Sequence, residues 1–257
     1  MNAMSTPVDP ELLEAAVTIT RKAGDLTLQH FRRADLVVDR KDDGTPVTVA
    51  DRGAERLMRE ELGRLFPDDG ILGEEEDEKI GTSGRRWILD PIDGTKAFTR
   101  GVPLYTNLLA LEDENGIALG VINVPAQGET VAAGRGLGCF ANGVPVTVND
   151  HATLDRACVS TSAFTLWSDE AMVRVKNRGI QLRTWGDGYG YVLVATGRIE
   201  AMVDPVAELY DLAPVPIIMS EAGGRFTCYA GVEDPGQGSG IATNGKVHDD
   251  VLALLAD

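Results

Sequence analysis

Residues 87–95 read Trp-Ile-Leu-Asp-Pro-Ile-Asp-Gly-Thr. Trp87, Ile88 and Leu89 suit a buried strand, expected over Arg86 to Leu89. That strand runs straight into two carboxylates, Asp90 and Asp93. Pro91 and Gly94 restrict the backbone around them, which reads as a rigid turn aiming both acids to one side. Carboxylates gathered at the rim of a sheet repel one another unless a cation sits among them. The fold therefore has to bring this strand end to an open edge where such a cation can be held.

The rest of the chain supplies matching pieces. Helices are expected over Pro10–Phe31, where Leu12, Leu13, Ala16, Ile19, Ala23 and Leu26 recur at helical steps, and over about 49–66. A short strand, 36–39, and a turn-rich connector, 41–51, lie between them. "ILG" (71–73) reads as a strand end and leads directly into Glu74. Residues 104–148 read as antiparallel strands with tight turns at "ENG" and "NG". From 157 onward strands and helices alternate, which implies an α/β layer. A helix is expected over about 212–222, preceded by Asp211 and closed by Gly223-Gly224. Pro214 is tolerable in its first turn, whereas Pro216 is expected to distort it. The 257 residues fit one domain, with an N-terminal α+β half of about 1–150 and a C-terminal α/β half of about 151–257.

Four acids thus stand at strand ends or turns: Glu74, Asp90, Asp93 and Asp211. Oxygen ligands without His or Cys suit Mg²⁺ rather than zinc. The three histidines show no ligand pairing, and the three cysteines form no metal motif or disulfide framework, which suits a reducing cytoplasm. Gly94 lets the backbone approach an anion, and Thr95 can offer its hydroxyl and an N–H at a helix start. The net charge of −16 argues against nucleic-acid partners and against anionic membranes. No segment is apolar enough to span a bilayer, and the first residues lack the pattern of a secretory leader.

The motifs "TPVTVAD" (45–51), "ILGEE" (71–75), "WILDPIDGT" (87–95), "YDLAPVPIIMSEAGG" (210–224) and "ATNG" (242–245) together resemble the inositol monophosphatase superfamily, the Mg²⁺-dependent, Li⁺-sensitive phosphatases. The resemblance covers nearly the whole chain. It implies a layered α-β-α-β-α sandwich and a homodimer. It implies that Glu74, Asp90 and the carbonyl of Ile92 hold one Mg²⁺, that Asp90, Asp93 and Asp211 hold a second, and that a third sits loosely near Glu74. Glu74, Thr95 and Asp51 would surround the attacking water, and Gly94 and Thr95 would bind the phosphate. The implied reaction is in-line attack by a metal-activated water on a small phosphate monoester. Departures from the family pattern are Tyr210 for Trp, Pro214 for Ala and Ala97 for Asn.

"WGDGYGYVLVATGR" (185–198) is similar to the histidinol-phosphatase branch. Asp187, Asp204 and Glu208 are the candidate contacts to a cationic alcohol, as in histidinol phosphate. Asp187 as a cap of a helix at Tyr189, and Asp204 as part of an Asp-Pro turn, explain the same residues without a ligand. An inositol or sugar monophosphatase is the alternative within the class, and a non-catalytic metal- or ligand-binding relative is the alternative outside it.

Overall fold

The first helix, α1 (Pro10–His30), starts where sequence chemistry directs it. Asp9 caps it, accepting the Glu11 N–H at 3.0 Å, and Pro10 occupies its first turn. A computed structural model describes residues 6–41 and 43–256 of the chain. Residues 1–5, part of the stretch read for a leader, and Asp42 of the connector lie outside the described residues.

After α1 come β1 (Val38–Arg40), β2 (Pro46–Thr48) and α2 (Val49–Leu65). Strand β1 pairs antiparallel with β2, so part of the expected turn-rich connector is a strand of a small hairpin. Next are β3 (Gly70–Gly73), β4 (Arg86–Asp93), the single turn α3 (Thr95–Phe98), β5 (Thr106–Asp113), β6 (Gly116–Val124), β7 (Glu129–Gly134), β8 (Gly138–Ala141) and β9 (Val144–Pro145). They form a seven-stranded sheet in the order β3-β4-β5-β6-β7-β8-β9, in which only the β3–β4 pair is parallel. The second half holds β10 (Cys158–Thr161), α4 (Asp169–Asn177), β11 (Gln181–Arg183), α5 (Asp187–Ala195), β12 (Ala201–Asp204), α6 (Leu209–Leu212), α7 (Val215–Glu221), β13 (Arg225–Thr227), β14 (Gly240–Thr243) and α8 (His248–Leu255). Its five-stranded sheet runs β11-β10-β12-β14-β13.

Apolar alternation on the strands decides the layering. On β4, Trp87 and Leu89 join Leu109, Leu111 and Val121 against Ala16, Ile19 and Ala23 of α1 and Ala54, Met58 and Leu62 of α2. The opposite side of the sheet carries Leu108, Ile122 and Val131. They pack on Tyr191–Ala195 of α5 and on Val215, Ile218 and Met219 of α7, with Met202, Phe226 and Ala242 of the second sheet beyond. The outer side of that sheet, Val159, Ala201, Val203 and Ile241, is covered by α4 and α8. The molecule is the α-β-α-β-α sandwich that the resemblance implied. Both sheets are covered on both faces, so their strands read as nearly continuous apolar runs.

Several expected element bounds need correction. Strand β4 does not stop at Leu89 but continues through Asp93. The expected helix 212–222 is two pieces: α6 begins at Leu209, the chain turns at Ala213-Pro214, and α7 restarts at Val215. The expected distortion at Pro216 thus takes the form of this break, which leaves Pro216 in a first turn where no intrahelical N–H is lost. Asp211 lies inside α6 rather than ahead of a helix, and α5 begins at Asp187, two residues before Tyr189.

Candidate active site

Strict alternation would send Asp90 and Asp93, an odd number of residues apart, to opposite faces of the sheet. The register prevents this. Asp90 pairs with Leu108 and Asp93 with Thr106, so three steps on β4 oppose two on β5, and the extra residue makes a bulge over Pro91-Ile92. Both carboxylates thereby face the side on which Ile88 meets Ala213 and Tyr210, where α6 carries Asp211. Asp90, Asp93 and Asp211 each present an oxygen, and these oxygens lie within 4.8 Å of one another. Strand β3 is parallel to β4 with Leu72 beside Ile88, and the same register continued by two residues brings Glu74 alongside Asp90.

Each acid is held by its local fold. Asp90 accepts the Ile92 N–H at 2.9 Å across the bulge. Asp93 accepts the Thr106 hydroxyl at 2.8 Å and the Gly188 N–H from the start of α5. Asp211 accepts the Glu208 N–H at 2.8 Å in a reciprocal cap of α6. Burial and neighbouring carboxylates push Asp90 and Asp93 well above the usual carboxylate range. Burial likewise raises Glu74, and it pushes Asp211 up to about 7. Lys41, at the end of the β1 strand segment, reaches Glu74 and Glu75 at 2.6 Å each. This all-oxygen, mutually repelling set is the donor chemistry of a hard divalent cation, and Mg²⁺ fits it.

A second group adjoins the bulge. Asp51 sits in the first turn of α2, where Thr48 binds its Oδ2 through both the N–H (2.8 Å) and the hydroxyl (2.6 Å). Its Oδ1 is left toward Thr95 Oγ1, 3.3 Å away, and burial raises its pKa. The Thr95 hydroxyl donates to the Ile92 carbonyl at 2.9 Å. Gly94 has φ +80°, a left-handed backbone that starts α3, and a Cβ there would stand 2.9 Å from Asp187 Oδ2.

Glu74, Asp90, Ile92, Asp93, Gly94, Thr95 and Asp211 line one cleft of about 410 Å³, whereas Asp51 is fully buried and reaches it only through Thr95. Asp187 also lines it, at φ +54°, a strained conformation for a residue other than glycine. Asp204 lies behind, in a chamber of about 50 Å³. Its oxygens accept the Tyr191 hydroxyl (2.7 Å) and the Ser162 N–H (3.3 Å), and burial pushes it up to about 6. Glu208 is exposed at the cap of α6 and lines neither space. Sequence reasoning missed Lys41, Thr106, Ser162 and Leu166. Lys41 alone left a trace, as a basic residue heading an acidic turn.

Comparison with known proteins agrees with this geometry. The family model for the inositol monophosphatase family matches residues 9–257. A histidinol-phosphatase of Chlorobaculum parvum is 43% identical over 253 residues, covering 95% of this chain and 96% of that protein. A histidinol-phosphatase of Mycobacterium tuberculosis is 40% identical over 252 residues, covering 95% and 97%. The solved structure of a Thermotoga maritima IMPase superposes with a TM-score of 0.86 at 32% identity, covering 95% of this chain and 96% of that one. A sandwich with a bulged Asp-Pro-Ile-Asp strand, a carboxylate cluster on its inner face and a match along nearly all of its length places the chain in the inositol monophosphatase family.

Proposed function

We propose that this phosphoric monoester hydrolase cleaves histidinol phosphate with Mg²⁺ as its cofactor. The observation that carries the reading is the position of Asp187, a further carboxylate in the same cleft as the Asp90–Asp93–Asp211 cluster. A phosphate ester anchored at the cluster can turn a cationic alcohol toward Asp187. The two relatives named histidinol-phosphatase support this choice. The likeness to an IMPase keeps inositol or sugar phosphates as the second reading.

In this reading Glu74, Asp90 and the Ile92 carbonyl would hold one ion, Asp90, Asp93 and Asp211 would hold a second, and Glu74 would help to hold a third. When bound, the ions supply the positive charge that neutralises the phosphate and makes water a competent nucleophile near neutral pH. Gly94 and Thr95 bind a phosphate oxygen through their N–H groups. Thr95 and Asp51 orient the attacking water and take up its proton. Thr48 fixes one oxygen of Asp51, so the other is the one that receives it. Asp187 faces the ammonium directly, and Asp204 adds negative potential from the chamber behind. The enzyme works as a cytoplasmic homodimer, a setting that suits its three free cysteines.

The test is phosphate release over a panel of histidinol phosphate, inositol-1-phosphate, fructose-1,6-bisphosphate and 3′-phosphoadenosine 5′-phosphate. Histidinol phosphate is expected to give the highest kcat/KM, chelation to abolish release reversibly, and Li⁺ to inhibit. Full activity after exhaustive chelation would sink the mechanism. A preference for inositol-1-phosphate would install the second reading.

A further inference from the structure

The cleft has a second wall, built by the five-stranded sheet. Strands β11, β10 and β12 are parallel neighbours, so their C-terminal ends emerge together. Ligands of open α/β sheets characteristically bind beyond such ends. The chain leaving β11 reaches Asp187, the chain leaving β10 makes a 3₁₀ turn at Phe164–Leu166, and the chain leaving β12 reaches Val206. Leu166 and Val206 line the cleft with Asp187, the same cleft that holds Asp90 and Asp93 of the first sheet and Asp211 of α6. Neither is a core residue: Leu166 is 56% exposed and Val206 is 69% exposed. Isolated exposed aliphatic side chains are ordinary, but two on the ends of adjacent strands, bordering one polar cleft, make an apolar patch in a binding position.

We propose that Leu166 and Val206 are specificity-determining residues that clasp an apolar face of the alcohol leaving group. Resting on the reading above, this narrows the substrate class. The preferred alcohol carries a flat ring or aliphatic face for Leu166 and Val206 and a cation for Asp187. A polyol, with hydroxyl groups on every side, would leave some of them unpaired against these two side chains. Specificity is thus divided within one cleft: the carboxylate cluster on β4 and α6 serves the phosphate, and the strand ends of the second sheet recognise what is attached to it.

The experiment compares two esters that differ in this property alone as far as the proposal is concerned. 2-Phenylethyl phosphate offers a flat ring and no ammonium, and glycerol-2-phosphate offers only hydroxyls. Their kcat/KM ratio is measured for the parent, Leu166→Ser, Val206→Ser, Leu166→Met and Val206→Ile with saturating Mg²⁺. Because apolar contact contributes in proportion to the area removed from water, each serine variant should lower the ratio about 5- to 30-fold, chiefly through KM. The Met and Ile variants should keep it. The exposure of both positions makes misfolding an unsuitable explanation for a loss, and the ratio cancels general damage to the cluster. A ratio within about twofold of the parent in both serine variants overturns the proposal. A parent that cleaves both probes but not histidinol phosphate fails the substrate reading alone, with the ratio still deciding this one. A parent that releases phosphate from no ester overturns both.

Discussion

Asp90 shares its surroundings with three other acids and has a single backbone N–H on one oxygen, which leaves the rest of its carboxylate for cations. It is the residue assigned to both ions, so Asp90→Asn should lower kcat by at least about 10³-fold, the scale of losing one strong transition-state stabiliser. The fold should persist, because the change relieves repulsion in the metal-free cluster. Near-parental turnover with an unchanged far-ultraviolet spectrum would remove Asp90 from its bridging role. Asp187 allows a separate test. Asparagine tolerates the left-handed backbone at φ +54° nearly as well as aspartate, so Asp187→Asn changes charge with little strain. A charge-assisted hydrogen bond contributes about 1.5–3 kcal/mol, so kcat/KM for histidinol phosphate should fall about 10- to 150-fold relative to glycerol-2-phosphate. An unchanged ratio would exclude Asp187 as the ammonium contact. Most of these residues were legible in the sequence because Asp-Pro-Ile-Asp-Gly-Thr is local chemistry. Lys41 was not, because its partner Glu74 lies 33 residues away and only the β1–β2 hairpin brings them together. The different depths of Asp187 and Asp204 were equally hidden. Both look like acids beside a turn, and only packing shows that Tyr191 and Ser162 already occupy Asp204.

Helix α5 begins with a residue of left-handed backbone and then passes so near β4 that Gly188 donates to Asp93. A Cβ on Gly188 would stand 2.3 Å from Thr106 Oγ1 and 2.8 Å from Asp93 Oδ2. Gly188→Ala should therefore lift the start of α5 off the cluster. Overpacking of this kind costs about 1–3 kcal/mol. A domain of this size loses about 2–4 °C of Tm per kcal/mol. The Mg²⁺ concentration for half-maximal activity should rise as well, because Asp93 loses a fixed orientation. Parental Tm and parental Mg²⁺ dependence together would show that the close approach does not hold the ligand. The elements differ in how plainly the sequence shows them. Helices α1 and α2 declare themselves through long apolar periodicity and caps. Strand β4 hid its last four residues because Pro91 and Gly94 look like a turn, whereas the chain uses a bulge within the ladder. The break between α6 and α7 hid in the reverse way. A continuous apolar run masked the restart that Pro214 and Pro216 permit.

Across the whole molecule, the layers bury a cluster of like charges at their meeting point, and pH should reveal it. Burial holds the folded pKa values of Asp90, Asp93 and Asp211 above those of the unfolded chain, with Asp211 near 7. Groups raised in this way contribute stability that is full below the unfolded value of about 4 and is lost as pH rises through the folded value. The metal-free protein should thus lose stability from this cluster between pH 5.5 and 8. Mg²⁺, as the proposed partner of the ionised carboxylates, should raise Tm more at pH 8 than at pH 5.5. A larger metal effect at the lower pH would contradict the assigned cluster. The layer order was legible through the resemblance rather than through periodicity, since buried strands from both sheets read alike. Finally, Asp51, Glu74, Asp90, Asp93 and Thr95 precede the segment from Asn149 to Ala157, and Asp187 and Asp211 follow it. Within that segment Asp155 and Arg156 have side chains 77% and 85% exposed. A break between them makes the protein a two-piece logic gate. Neither fragment carries a complete set of the proposed ligands, and phosphate release from the mixed pieces would report their reunion. Turnover by residues 1–155 alone would show that the far strand ends are dispensable to the chemistry.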